Sequence, residues 1–171
     1  MEKSGEKWRT SNVLKEICPY EVLVGYYLTK LDEKGRLAVP KRFRSELGEK
    51  LVAARWYEGC ILLVDRKVWQ SLVARLTGGE LATLSARDTD RFLLAGSFEV
   101  DLDKQGRFVV PESLRGYAHL AQEVVCAALG DRVELWSKSA WEEREKVLLS
   151  QAGEKVERLY RERQSGEHPK K

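Results

Sequence analysis

The 171-residue chain has little of what most enzymes use for chemistry: three cysteines and two histidines. Cys18, Cys60 and Cys126 are odd in number and far apart, which suits free thiols in a reducing compartment better than a disulfide framework. There is no CxxC pair, and His119 and His168 stand remote from the cysteines, so no metal site can be spelled from them. Glycine-rich phosphate loops of the Walker or GxGxxG type are missing too, and no cofactor is expected. No apolar run approaches the ~20 residues of a membrane-spanning helix. Met1 to Arg9 is polar, without the apolar segment of a secretion signal, so the expected location is the cytoplasm. Carboxylates are plentiful but read as solvated helix faces, which leaves an enzyme as the weaker reading.

What the chain does have is one short phrase written twice, 71 residues apart. The first copy is Leu31-Asp32-Glu33-Lys34-Gly35-Arg36-Leu37-Ala38-Val39-Pro40, running on to Phe43-Arg44. The second is Leu102-Asp103-Lys104-Gln105-Gly106-Arg107-Phe108-Val109-Val110-Pro111, running on to Leu114-Arg115. Seven positions coincide in a 14-residue window, which marks an internal duplication.

The net charge of +3 is too small to imply a polyanionic partner, but its distribution is uneven. From Leu28 to Arg44 stand Lys30, Lys34, Arg36, Lys41, Arg42 and Arg44 against Asp32 and Glu33, six cations and two anions, a local +4. Glu99 to Arg115 has three cations against four anions, a local −1. Only the first copy presents a clear site for a polyanion.

Residues 1–21 have no repeat partner and read as a flexible extension. One account of them is a chain that starts at Val22 through an alternative start codon; peptides from Glu6–Lys15 in the native protein would exclude it. Repeat 1 spans 26–68. A strand at Gly25–Leu31, a turn at Asp32–Gly35 and a returning strand at Arg36–Val39 lead to Pro40, placed at the first position of a short helix. Strands follow at Leu51–Ala54 and Cys60–Val64. Asp65 then caps a helix carrying Trp69, Leu72, Val73 and Leu76 at helical spacing. A connecting segment, 77–95, is expected to hold a helix starting near Ser85, with Asp88 completing a capping box. Repeat 2, at 97–140, follows the same order. A helix over 141–163 keeps Trp141, Leu148, Leu149, Ala152, Val156 and Leu159 on one face, and 164–171 reads as a disordered tail. One repeat of ~45 residues is too small to bury a core alone. The two are expected to pack around an approximate two-fold axis as one mainly β unit with short helices, of the α+β class.

Turn chemistry explains part of the phrase. Asp favours the first corner of a type I turn, and Gly fits the left-handed position that follows, so Asp32, Gly35, Asp103 and Gly106 can be structural. It does not ask for Arg next. An exposed Asp–Arg pair stabilises little, so the alternative is that Asp aims the guanidinium of Arg36 or Arg107 outward. A planar donor fork suits phosphate or the O6/N7 edge of guanine. Lys34, Lys41, Arg42, Arg44 and Lys30 would add phosphate contacts.

The Leu-Asp-x-x-Gly-Arg-(apolar)3-Pro-x-x-(apolar)-Arg phrase, present twice at this spacing, resembles the MraZ family of bacterial transcriptional regulators, of the AbrB-like class. The likeness covers about Gly25 to Trp141, and Trp69 and Trp141, each opening the helix after a repeat, agree with it. The resemblance implies a swapped-hairpin AbrB-like barrel built within one chain from two half-motifs. It implies assembly into rings of about eight or more subunits, which raises avidity for repeated sites. It also implies double-stranded DNA with short tandem repeats as the partner, upstream of the cell-division and cell-wall gene cluster, repression as the usual outcome, and association with the nucleoid. A ring whose charged hairpins hold an acidic protein is the competing reading. An antitoxin of similar fold carries a single motif per chain, which the duplication argues against.

Overall fold

Strand β1 (Leu23–Lys30) finds its partner in the other copy of the repeat. It pairs antiparallel with β7 (Glu123–Gly130) over eight residues, from Leu23 opposite Gly130 to Lys30 opposite Glu123. In the same way β5 (Ser97–Asp101) of the second copy pairs with β3 (Lys50–Arg55) of the first. With β4 (Ile61–Asp65) and β8 (Arg132–Ser137) they form one six-stranded sheet in the order β1-β7-β8-β4-β3-β5. Exchanging the copies leaves that order unchanged, which is the pseudo-two-fold expected of the duplication. The computed structural model describes residues 23–48, 50–77 and 83–164; the extension at 1–21 and the tail from 165 lie outside the described residues.

Strands β2 (Arg36–Ala38) and β6 (Arg107–Val109) make a separate antiparallel ribbon, again one strand from each copy. The reading of β1 and β2 as a strand and its return therefore holds only at the turn. Leu31 bridges Leu37, and the Asp32 N–H donates to the Arg36 carbonyl at 3.0 Å. Beyond that they part. A three-residue β2 could pair with few of the eight residues of β1, whereas β7 pairs with all eight along one side of the strand. The hairpins are swapped between halves of one chain.

Short helices fill the corners: α1 (Lys41–Leu47), α2 (Arg66–Leu76), α3 (Leu84–Leu93) and α4 (Glu112–Tyr117), before the 27-residue α5 (Lys138–Gln164). Pro40 and Pro111 stand one residue ahead of the first helical position, and their carbonyls accept from Phe43 and Leu114 at 2.8 and 3.0 Å. Asp65 caps α2 as expected, accepting from Lys67 N–H at 2.7 Å. Helix α3 departs from expectation. Thr83 caps it, its hydroxyl accepting from Ala86 N–H at 3.2 Å. Asp88 closes no capping box and pairs with Arg91 at 2.8 Å.

The ribbon lies over one face of the sheet, and the main core fills the space between. Leu37, Val39, Phe108 and Val110 from the ribbon side meet Phe43, Leu47 and Leu114 from α1 and α4, and Ala53, Ile61, Leu63, Val124, Cys126 and Leu135 from the sheet. Each large side chain so buried contributes about 1.5–3 kcal/mol. Residues from both copies line this core, so neither copy could close it alone. The far face of the sheet is covered in two patches. Val68, Trp69 and Leu93 of α2 and α3 pack over Val52, Ala54, Leu62 and Val64, while Ala140 and Trp141 of α5 pack over Val125, Ala127 and Trp136. Past its first turns α5 leaves the body, with Leu149 75% and Val156 68% exposed. Among the described residues no helix is long and apolar enough to cross a membrane.

Candidate nucleic-acid interface

Each Asp-x-x-Gly-Arg phrase closes on its own aspartate. Oδ1 of Asp32 accepts the N–H groups of Lys34 and Arg36 at 2.9 and 2.8 Å, and its carbonyl accepts from Gly35 N–H at 2.9 Å. Gly35 takes φ 73° and Gly106 φ 74°, a left-handed turn position that costs other residues strain. Asp103 repeats the pattern, with Gln105 and Arg107 N–H both at 2.9 Å from Oδ1. The backbone N–H of Arg36 or Arg107 is the main reason that both carboxyls are held below the usual aspartate range, with the guanidinium adding to it. In each copy Oδ1 staples the turn, and Oδ2 accepts from the arginine side chain.

The two arginines are held differently. Arg36 gives only its Nε to Asp32 Oδ2, at 2.7 Å, and among the described residues neither of its Nη atoms has a protein partner. Arg107 gives Nε and Nη2 to Asp103 Oδ2, at 2.9 and 2.8 Å. Among the described residues the first copy thus leaves the outer half of its donor fork without a protein partner, and the second has one more donor engaged.

The ribbon register brings both side chains to one surface. Arg36 stands opposite Val109, Leu37 opposite Phe108, and Ala38 opposite Arg107. Successive side chains alternate across a strand. Leu37 and Phe108 are 0% and 2% exposed, pointing into the core, so Arg36, Ala38, Arg107 and Val109 share the outward face. The swap, which the family resemblance implied and the turn chemistry alone did not, brings the two arginines onto one two-stranded face.

The other candidate cations divide. Lys34 stands exposed at the turn tip, Lys41 and Arg42 stand exposed on the first turn of α1, and among the described residues none of the three has a carboxylate within 4.0 Å. Lys30 lines a cleft with Glu123, Lys138 and Glu142, in which Glu123 is paired with Lys138 at 3.0 Å. Arg44 turns inward: its Nε donates to the Val39 carbonyl at 2.7 Å, and its guanidinium lies on Gly106 of the other copy. Arg115, which the charge count did not select, lies in the matching place on Gly35. The sequence showed this arginine at the same offset in both copies, including the acidic one, and that recurrence rather than local charge was the signal for its role. Val109 was also passed over, because its exposure depends on the ribbon register. Among the described residues no cluster of His, Cys, Asp and Glu could hold a metal ion.

Comparison with known proteins agrees with this architecture. The two halves match separately, over residues 22–92 and 93–161, the family described as MraZ protein, antitoxin-like. The chain is 40% identical over 121 residues to the transcriptional regulator MraZ of Leuconostoc citreum, covering 71% of this chain and 85% of that protein. It is 41% identical over 120 residues to the protein of the same name from Halothermothrix orenii, covering 70% and 84%. For the one from Bifidobacterium longum the figures are 40% over 121 residues, 71% and 81%. These relatives are named as regulators of transcription and not as enzymes. Two matched repeats and relatives that align over most of both chains show that this chain belongs to the MraZ family of transcriptional regulators.

Proposed function

We propose that the chain is a sequence-specific DNA-binding repressor of the cell-division and cell-wall gene cluster, acting in the cytoplasm on the nucleoid. It binds short tandem promoter repeats as a homo-oligomeric ring of about eight or more subunits. The observation that carries the reading is the outward face of the ribbon: a guanidinium held by Asp32 through Nε, with neither Nη atom claimed among the described residues. Lys34 at the turn tip and Lys41 and Arg42 on α1 are exposed and add positive charge to the same copy. Lysines and arginines at the edges contact phosphates and set the register, while the fork of Arg36 reads guanine. One ribbon holds few cations, so a single subunit binds weakly and with steep salt dependence. Many subunits facing many repeats make the later contacts intramolecular, a gain of about 10²–10⁴ in affinity.

Fluorescence anisotropy of wild type and Arg36→Ala on the tandem repeats upstream of the protein's own gene, over a salt series, tests this. Repeat-dependent binding that falls steeply with salt and is lost in the variant is the expected result. Equal binding by two folded, assembled proteins would return Arg36 to turn structure. Binding by neither would favour an acidic protein as the partner of the ring.

A further inference from the structure

Four side chains make up the outward face of the ribbon, and the register sets them in two diagonals: Arg36 with Arg107, and Ala38 with Val109. Val109 is 59% exposed. A β-branched residue suits any strand, and one exposed apolar side chain is ordinary. Its neighbour is what distinguishes it. Directly opposed residues on paired strands have Cβ atoms about 5 Å apart, so the methyl groups of Val109 flank the stem of the arginine whose fork is free.

That juxtaposition matches the relief of a major-groove floor. Guanine offers O6 and N7 as acceptors set back in its edge, while thymine carries a C5 methyl that stands out from its edge. A long arm reaches the first and a short branched apolar group meets the second. Successive bases on a strand are spaced about 3.4 Å apart, within the span of two opposed ribbon side chains. We infer that Val109 is a specificity-determining residue that contacts the 5-methyl group of a thymine beside the guanine read by Arg36. The inference rests on the DNA-binding reading above and adds to it the base step that the ribbon recognises. The step is read by one side chain from each repeat copy, Arg36 from the first and Val109 from the second.

The other end of the ribbon is weaker in both respects. There the smaller Ala38 stands opposite Arg107, whose Nη2 is already bound to Asp103 at 2.8 Å. A fold with near two-fold symmetry thereby presents one reading end and one plain end. This gives each subunit a direction on DNA, as tandem rather than inverted repeats require.

The test uses the full-length protein and repeat DNA in which each thymine is replaced in turn by deoxyuridine, which pairs identically and lacks only the methyl. One position per repeat is expected to lower wild-type affinity about fourfold per contact, the worth of one buried methyl group. Val109→Ser is expected to bind thymine and deoxyuridine DNA alike while keeping its dependence on Arg36. Equal wild-type binding to both DNAs, with Arg36 still required, overturns the inference and leaves the proposed function standing. A Val109→Ser protein that still prefers thymine also overturns it, since another residue then meets the methyl. Wild type that ignores the repeats altogether removes the proposed function, and this inference with it.

Discussion

Arg44 of the first copy lies across Gly106 of the second, so closely that a Cβ on that glycine would overlap its guanidinium. Arg115 covers Gly35 in return, with a Cβ there 3.0 Å from its Nη1. Backbone bonds knit the same junctions: Val39 N–H donates to the Gly106 carbonyl at 2.9 Å, and Val110 N–H to that of Gly35 at 2.8 Å. The glycine and the later arginine of the repeated phrase are thus two ends of one contact made between copies. This accounts for their fixed spacing without any appeal to a ligand.

The junction predicts unequal costs for the same substitution. Alanine at a left-handed position costs about 1–2 kcal/mol, and that is most of the expected loss for Gly35→Ala, since the Arg115 guanidinium need give way by only a few tenths of an ångström. Gly106→Ala must also push Arg44 off its 2.7 Å bond to the Val39 carbonyl, adding about 1 kcal/mol. Urea unfolding at one protein concentration should therefore give losses of about 1–2 and about 2–3 kcal/mol. Equal losses would mean that the Arg44 contact contributes nothing.

A second asymmetry concerns binding. Arg36 has both Nη atoms available and Arg107 has one committed, so Arg36→Ala should weaken binding to repeat DNA about tenfold or more. Arg107→Ala should weaken it less and chiefly through charge, showing in the salt slope more than in the preference for one sequence. Anisotropy titrations of the two variants on repeat and scrambled DNA separate these outcomes. A greater loss of sequence preference from Arg107→Ala would reverse the assignment of reading end and plain end.

Much of this was legible in the sequence, and the reasons are local. The turn announces itself through Asp32, Gly35, Asp103 and Gly106, because each acts on a backbone a few residues away. Strand order within a repeat followed from apolar runs bounded by turn residues. Which strand pairs with which did not follow from the pattern, and the swap was expected only from the family resemblance. The choice between β2 and β7 as partner of β1 turns on strand lengths and on a core shared by both copies, and periodicity says nothing of either. The direction of Arg44 was hidden for the same reason, since its partner Gly106 stands 62 residues on in the other copy. Charge counting grouped Arg44 with the candidate phosphate contacts; packing set its guanidinium against Gly106.

The thiols should be inert in the folded protein. Cys60 and Cys126 are buried, and burial pushes the Cys126 thiol up to about 12. Burial raises that of Cys60 as well, helped by the carboxylates of Glu134 and Glu58. Thiolate is the reactive form. In a Cys18→Ser background a colorimetric disulfide reagent at pH 8 should label neither cysteine until urea unfolds the chain, and then both. Prompt labelling of the native protein would mean that the sheet opens locally around β4 or β7.

The acidic groups set the pH dependence in opposite senses. Burial raises the Glu134 carboxyl above its ordinary value, although Trp136 donates its indole N–H to Oε2 at 3.0 Å and Arg132 and Arg144 pull the other way. A carboxyl raised on folding stabilises below its unfolded value of about 4.3, and that contribution is lost as pH rises through the folded value. At pH 7 the charge is therefore a burden, and Glu134→Gln keeps an acceptor for Trp136 while removing it. Asp103 is lowered instead, first by the backbone N–H of Arg107, so its contribution is present above about 3.9 and is lost as pH falls through the folded value. Melting temperatures from pH 3 to 8 should show Glu134→Gln above wild type at pH 7 with the gap closing in acid. Asp103→Asn should lie below wild type at pH 7, with its deficit shrinking in acid. A Glu134→Gln protein that melts below wild type at pH 7 would mean that the attraction of Arg132 and Arg144 outweighs the cost of burying the charge.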